Sequence, residues 1–246
     1  RIFFVQGGDE ETAPAVDALY MLGDHIGAWD FGIFLDLKNI EINAYRQFPL
    51  ETKDNLKFKS PQDALTGFSI DFSDQRRFPL SKFVYEFMYT KWQDGPRVEN
   101  VVNGTPCSEL PEGFCRDPGQ GNENYYNHSL YETGWAYNFR TIGNPLFTTR
   151  PDNRGIDNSR IVAHHIGIES HYRNIILKGK FTYSRNYGTR AQPFENRRDQ
   201  YSIVSGIRMP LEIYDNVVSI NIEIAYDNGS LVGDQLGGLV GMRLSL

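Results

Sequence analysis

The segment 216–246 alternates with a period of two, and that pattern constrains the chain more than anything else in it. Val218, Ile220, Ile222, Ile224 and Tyr226 interleave with Ser219, Asn221, Glu223 and Ala225, so one side of the segment is apolar and the other polar. A second stretch repeats this, with Leu236, Val240, Met242, Leu244 and Leu246 set against Gln235, Arg243 and Ser245. A helix would need a period of 3.6, so these are strands. Their polar face is wet, and their apolar face meets either a second sheet or lipid. Length separates the two cases, because soluble strands average about 5 to 6 residues while tilted membrane strands need about 9 to 11. Both stretches reach the longer figure.

The same alternation recurs along the chain. It predicts strands at 2–6, 26–37, 40–48, 68–72, 83–92, 161–170, 175–184 and 201–209, besides the two at the end, about ten in all. Their polar faces carry Glu169, Lys178, Lys180, Arg208, Glu223 and Arg243. A helical turn is expected at 13–21. The connections alternate in length, being long at 7–24, 49–64, 93–160, 186–198 and 227–234, and short at 38–39, 73–80, 171–174 and 210–215. Outer-membrane barrels have long extracellular loops and short periplasmic turns, a regularity that a Greek-key sandwich lacks. The expected fold is therefore all-β: an antiparallel transmembrane β-barrel of outer-membrane type. The chain 1–246 reads as a single barrel domain, with the long loop 93–160 extracellular and the C-terminus periplasmic. The opening residues Arg1-Ile-Phe-Phe-Val5 already read as strand, with no initiator Met or signal peptide, so a mature or truncated piece of a larger barrel is expected.

Composition is consistent with this. No apolar run approaches the 18 or more residues, roughly, of a membrane helix, and the low mean hydropathy of −0.47 suits a barrel with a polar lumen and loops. The 25 basic and 31 acidic residues give a net charge of −6, without a basic cluster, so nucleic acid is not an expected partner. Cys107 and Cys115 stand in the turn-forming segment NGTPCSELPEGFCRDPGQG. They read as a disulfide of an oxidising compartment, stabilising by about 2 to 3 kcal/mol in the loop-entropy model, with two free thiols as the alternative. No His lies at metal-ligand spacing from them.

The loop 93–160 is too long for a simple connection, which points to function. It concentrates aromatic rings beside hydrogen-bonding groups, in Tyr125-Tyr-Asn-His-Ser-Leu-Tyr131, Gly134-Trp135-Ala-Tyr137, Arg140 and Ile142-Gly-Asn-Pro-Leu-Phe147. Flat rings suit the CH face of a pyranose, and amide, imidazole and guanidinium donors suit its hydroxyls. Tyr126, Asn127, His128, Trp135, Tyr137, Arg140 and Asn144 are thus the candidate glycan-binding residues. The plainer alternative is a packed plug, with those rings buried in the barrel mouth.

Three segments in order, FVYEFMYTKWQDGP, YYNHSLYETGWAYNFRTIGNPLF and SRIVAHHIGIE, resemble the Wzi-type capsule assembly proteins in their Bacteroides-like form, over roughly 83–169. The resemblance implies a monomeric outer-membrane barrel with more strands than this chain supplies, set among outer-membrane lipid and lipopolysaccharide, alone or within a larger assembly. It implies a lectin-like anchor for capsular polysaccharide, without enzymatic activity and without a cofactor. A porin-like channel for small solutes is the alternative function, and a barrel hydrolase a more distant one.

Other chemistries are weaker. His164 and His165 are adjacent on a strand and so face opposite ways, which prevents both from serving one metal or catalytic site. No nucleophile, base and orienter are grouped in the sequence. Asp152, Asn153, Asp157 and Asn158 offer oxygen atoms for calcium, but their spacing matches no EF-hand and reads as a solvated turn. No metal site is expected.

Overall fold

A computed structural model of the chain describes residues 26–51, 58, 60–73, 79–93, 101–102, 105–106, 124–127, 131–213 and 216–245. The expected strand at 2–6, the helical turn at 13–21, His128 and both cysteines lie outside the described residues. Among the described residues there is strand but no helix.

Nine strands form one antiparallel sheet: β1 (Gly27–Leu37), β2 (Ile40–Leu50), β3 (Ala64–Phe72), β4 (Leu80–Tyr89), β11 (Ile161–Tyr172), β12 (Ile175–Gly188), β13 (Pro193–Ile213), β14 (Asn216–Gly229) and β15 (Gln235–Ser245). They pair in chain order from β1 to β15, and the sheet is open, since β1 and β15 are its two edges. Six short strands lie between β4 and β11: β5 (Val101–Val102), β6 (Thr105–Pro106), β7 (Ala136–Tyr137), β8 (Arg140–Thr141), β9 (Thr148–Thr149) and β10 (Ile156–Asn158), paired as β5–β6, β7–β8 and β9–β10.

The register shows what the alternation does. One row across all nine strands reads Ile33, Ala44, Phe68, Tyr85, Ile166, Phe181, Ile203, Tyr226 and Leu236, each the pairing partner of the next. The row one residue away reads Gly32, Tyr45, Gly67, Glu86, His165, Thr182, Ser202, Asp227 and Gln235. Because successive side chains point to opposite sides, the first row lies on one face and the second on the other. A one-residue slip would exchange the faces of a whole strand, so this contrast pins the register. Glu169, Lys178, Lys180, Arg208, Glu223 and Arg243 all fall on the polar face, as their alternation predicts.

Cross-strand hydrogen bonds knit the polar row. The Tyr45 hydroxyl donates to Glu86, His165 Nδ1 and the Thr182 hydroxyl lie 2.7 Å apart, and the Ser202 hydroxyl donates to Asp227. Tyr45 reaches Glu86 by lying across Gly67, where a Cβ would sit 2.6 Å from the Tyr45 ring. Among the described residues the apolar face, by contrast, is uncovered: Ile33 is 67% exposed, Ile224 57% and Val240 78%. Rings gather at its loop end, where Trp29, Phe31, Phe48 and Phe58 lie 5.4 to 6.5 Å apart and Tyr183 stacks on Tyr201 at 4.7 Å.

Several connections are shorter than expected. The segment 186–198, read as a long loop, is mostly ladder, for Arg185 pairs with Asp199 and Asn186 with Arg198, leaving 189–192 as the connection. Likewise β13 runs on to Ile213, 21 residues in all. Alternation marks a strand only where one side is dry. Here Glu195, Asn196, Arg197 and Arg198 are all exposed, so the backbone ladder continues without the pattern that advertises it.

Candidate functional site

The buried core lies between the long connection and the loop end of the sheet. Tyr125, Ala136, Phe147 and Ile156 from the connection cluster with Ile161 and Ala163, and Met88, Tyr126 and Leu146 pack against them. Met88 and Ala163 pair with each other on the polar face. The described part of the connection is therefore a cap folded onto that face, and fully burying each of its large apolar side chains contributes about 1.5 to 3 kcal/mol.

Hydrogen bonds fix the cap. Asn127 accepts the Ile156 amide on Oδ1 at 2.7 Å and donates through Nδ2 to the Ile156 carbonyl at 3.1 Å and to Asn124 at 3.2 Å. The Tyr126 amide donates to the Glu51 carboxylate at 2.9 and 3.1 Å, and the Tyr126 ring meets Phe147 edge-on at 4.8 Å. Burial, with the Glu51 charge nearby, pushes the Tyr126 hydroxyl up to about 12. Gly134 takes φ +56 where the chain crosses this strut; a Cβ there would sit 2.0 Å from the Tyr126 carbonyl oxygen, which accepts the Trp135 amide.

Beneath the cap runs a buried polar network that the sequence did not announce. Asp63 accepts the amides of Trp92 and Gln93 at 2.9 and 2.7 Å and the Tyr125 hydroxyl at 2.9 Å. Burial pushes its carboxyl above the ordinary value, against those donors and the Arg160 charge, which pull it down. Thr90 and Gln93 donate to the Ser159 carbonyl, and Asn158 joins Asn186 at 2.9 Å and the Gly188 amide at 3.1 Å. Only the polarity of Asp63 is visible in sequence, where it ends a charged loop; its burial comes from tertiary placement.

The candidate glycan residues divide into two groups. Asn127 and Asn144 are engaged in the cap itself, for the Asn144 Oδ1 accepts the Leu146 amide at 3.1 Å and its carbonyl accepts the Thr141 hydroxyl. Tyr126 is part of the packing, and Trp135 is half-buried, with its indole N–H shut from solvent and unbonded among the described residues. Tyr137 and Arg140 stand apart. They pair across the β7–β8 hairpin, Tyr137 is 79% exposed, and Arg140 is exposed without an ion pair among the described residues. The two-residue turn between them has positive φ at both Asn138 (48°) and Phe139 (63°), the form that matches the twist of a tight hairpin. Asn138 tolerates that conformation; Phe139 holds it at a cost of about 1 kcal/mol or more. Phe139 and Ile142 are exposed beside them, at 57% and 51%.

A cavity of about 510 Å³ separates cap from sheet, lined by Glu86, Met88, His165 and Thr182 on one side and Tyr126, Leu146 and Phe147 on the other. Glu86 and His165 are register partners in it, held by Tyr45 and Thr182. His164 lies on the opposite face, its Nδ1 2.9 Å from the Tyr85 hydroxyl. The four oxygen-bearing residues of 152–158 do not converge. Asp152 accepts the Arg154 amide, Asn153 the Phe139 amide, Asp157 the Thr148 hydroxyl, and Asn158 is buried against β12.

No family model matches the chain, and neither a curated protein nor a solved structure matches it.

Proposed function

We propose that this chain is part of an outer-membrane β-barrel that holds capsular polysaccharide at the cell surface, as a lectin-like anchor without chemical action on the glycan. The observation that carries the barrel reading is the pair of neighbouring register rows across all nine strands, one apolar and the other made of polar residues and two glycines. An uncovered apolar sheet face this wide is unstable in water and suited to lipid, whereas its polar back suits a wet lumen. In the barrel the edges of β1 and β15 are paired, since hydrocarbon offers an open edge no hydrogen-bond partners. The short turns then face the periplasm and the cap faces outward.

The substrate class rests on the Wzi-like segments together with the β7–β8 hairpin, which presents a ring and a guanidinium to solvent within one turn. The cap, folded across the polar face, favours an anchor over a channel, because a channel needs an open lumen. A stacked ring contributes on the order of 1 kcal/mol and a hydrogen bond to a charged group about 1.5 to 3 kcal/mol. The Tyr137→Ala, Arg140→Gln double variant should therefore weaken glycan binding tenfold or more, at about 1.4 kcal/mol per decade. Capsule retention by cells carrying the variant, with heat-modifiable gel mobility as the folding check, tests this. Full capsule on a normally folded barrel overturns the hairpin as the glycan contact, and large steady planar-bilayer conductance overturns the anchor in favour of the porin-like channel.

A further inference from the structure

The outward face carries a second feature at its loop end, on β4, β11 and β12. The ladder continues past the ends of the strands there: the Thr90 amide donates to the Ile161 carbonyl, the Arg160 amide to the Gly188 carbonyl, and the Tyr187 amide to the Arg160 carbonyl. Lys91, Arg160 and Tyr187 thus form one more row on the apolar face, directly beyond Tyr89, Val162 and Arg185. With strands about 4.8 Å apart and alternate residues about 7 Å apart, the backbone positions of the three cations lie within about 12 Å of one another.

These cations are poorly neutralised. Among the described residues none of the three makes an ion pair. The Lys91 ammonium sits 4.0 Å over the Tyr187 ring, and Arg160 Nε donates to the Lys91 carbonyl at 3.3 Å. Arg185 Nε is shut from solvent and unbonded among the described residues. Two carboxylates lie near. Asp199, opposite Arg185, is held by Arg197 at 2.8 Å, and Asp63, which feels Arg160, accepts three other donors. Toward the turn end from the cations comes the row Phe87, His164 and Tyr183, and then the row Tyr85, Ile166 and Phe181.

We propose that this surface is a docking site for an anionic lipid of the outer leaflet whose headgroup carries a phosphate monoester, the chemistry of lipid A. The proposal rests on the membrane reading above and adds a ligand to the barrel's outer wall. The order of the rows matches such a lipid: acyl chains on the apolar rows, the glycolipid shoulder at the rings, and the phosphate at Lys91, Arg160 and Arg185. A phosphate monoester carries about −1.5 to −2 at neutral pH and accepts on three oxygens, which suits three cations that make no ion pair among the described residues. A zwitterionic headgroup brings no net charge to them.

The test uses the full-length protein in detergent, with lipid A, phosphatidylcholine and inorganic phosphate as probes and bound lipid counted by native mass spectrometry. We expect retained lipid A, at least tenfold weaker binding of it by the Lys91→Gln, Arg185→Gln variant, and no change in Lys180→Gln, which removes the same charge from the opposite face of β12. Equal lipid A binding by the double variant and the unaltered protein overturns the site. So does phosphatidylcholine binding as tight as lipid A, and displacement of lipid A by inorganic phosphate at equal concentration overturns the lipid as its source. Folding of each protein into phosphatidylcholine vesicles, read by heat-modifiable mobility, separates the two levels. Failure of the unaltered protein to fold there removes the membrane reading and this proposal with it, whereas normal folding without lipid A preference removes this proposal alone.

Discussion

At the scale of single residues, the cap depends on groups whose chemistry is spent internally. Asn127 spans three partners with one amide, so Asn127→Ala leaves the Ile156 amide and carbonyl without it and should lower stability by about 1 to 3 kcal/mol. Denaturant unfolding measures this, and no loss would show the clamp to be dispensable. Tyr126 gives a pH signature. Its hydroxyl ionises near 12 in the folded chain, above its ordinary 10. The folded state therefore holds this proton where the unfolded state has released it, so the associated stability is complete below about pH 10 and is lost as pH rises through about 12. Tyr126→Phe should abolish that alkaline loss, and the tyrosinate absorbance of the folded protein should lose one component titrating near 12. An unchanged alkaline titration would place the late-ionising hydroxyl elsewhere.

At the scale of elements, what was legible in the sequence follows from which faces are dry. The expected strands with one apolar side, 26–37, 68–72 and 161–170, reappear as β1, β3 and β11 with the predicted facing, while 83–92, apolar on both sides in sequence, reappears as β4 with its facing set by the register. The upper parts of β12 and β13 carry no such signal, because polar residues stand on both their sides and the pattern ends before the strand does. The cap was legible as a concentration of rings, but not which rings are buried. Tyr125 and Tyr137 are similar in sequence setting, yet one is 1% exposed and the other 79%, a difference set by Asp63 far along the chain. The proposed topology makes the protruding β12–β13 end extracellular. A protease site inserted at Ala191, in the connection 189–192, should be cut on intact cells, and one at Asn174, in the two-residue turn between β11 and β12, should be protected. The opposite pattern would invert the molecule.

At the scale of the whole molecule, the question is what covers the apolar face, and neighbouring residues of one strand can answer it. Ile224 on β14 belongs to that face, 57% exposed in the chain alone and flanked on its own strand by Ile222 and Tyr226. Ala225, next to it, faces the polar side between Glu223 and Asp227. If water meets the apolar face, Ile224→Lys replaces one exposed side chain by another and should change stability by no more than about 0.5 kcal/mol. If lipid meets it, a Lys near the bilayer midplane costs about 2 to 4 kcal/mol, while Ala225→Lys gains two carboxylate neighbours in a wet lumen and is tolerated. We expect the second pattern. It is read by the denaturant dependence of folding into phosphatidylcholine vesicles, with Ile224→Lys destabilised and Ala225→Lys close to the unaltered protein. Equal behaviour of the two variants would mean that the two faces of the sheet meet the same medium. A larger cost at Ala225 would mean that the face now assigned to the lumen is the buried one.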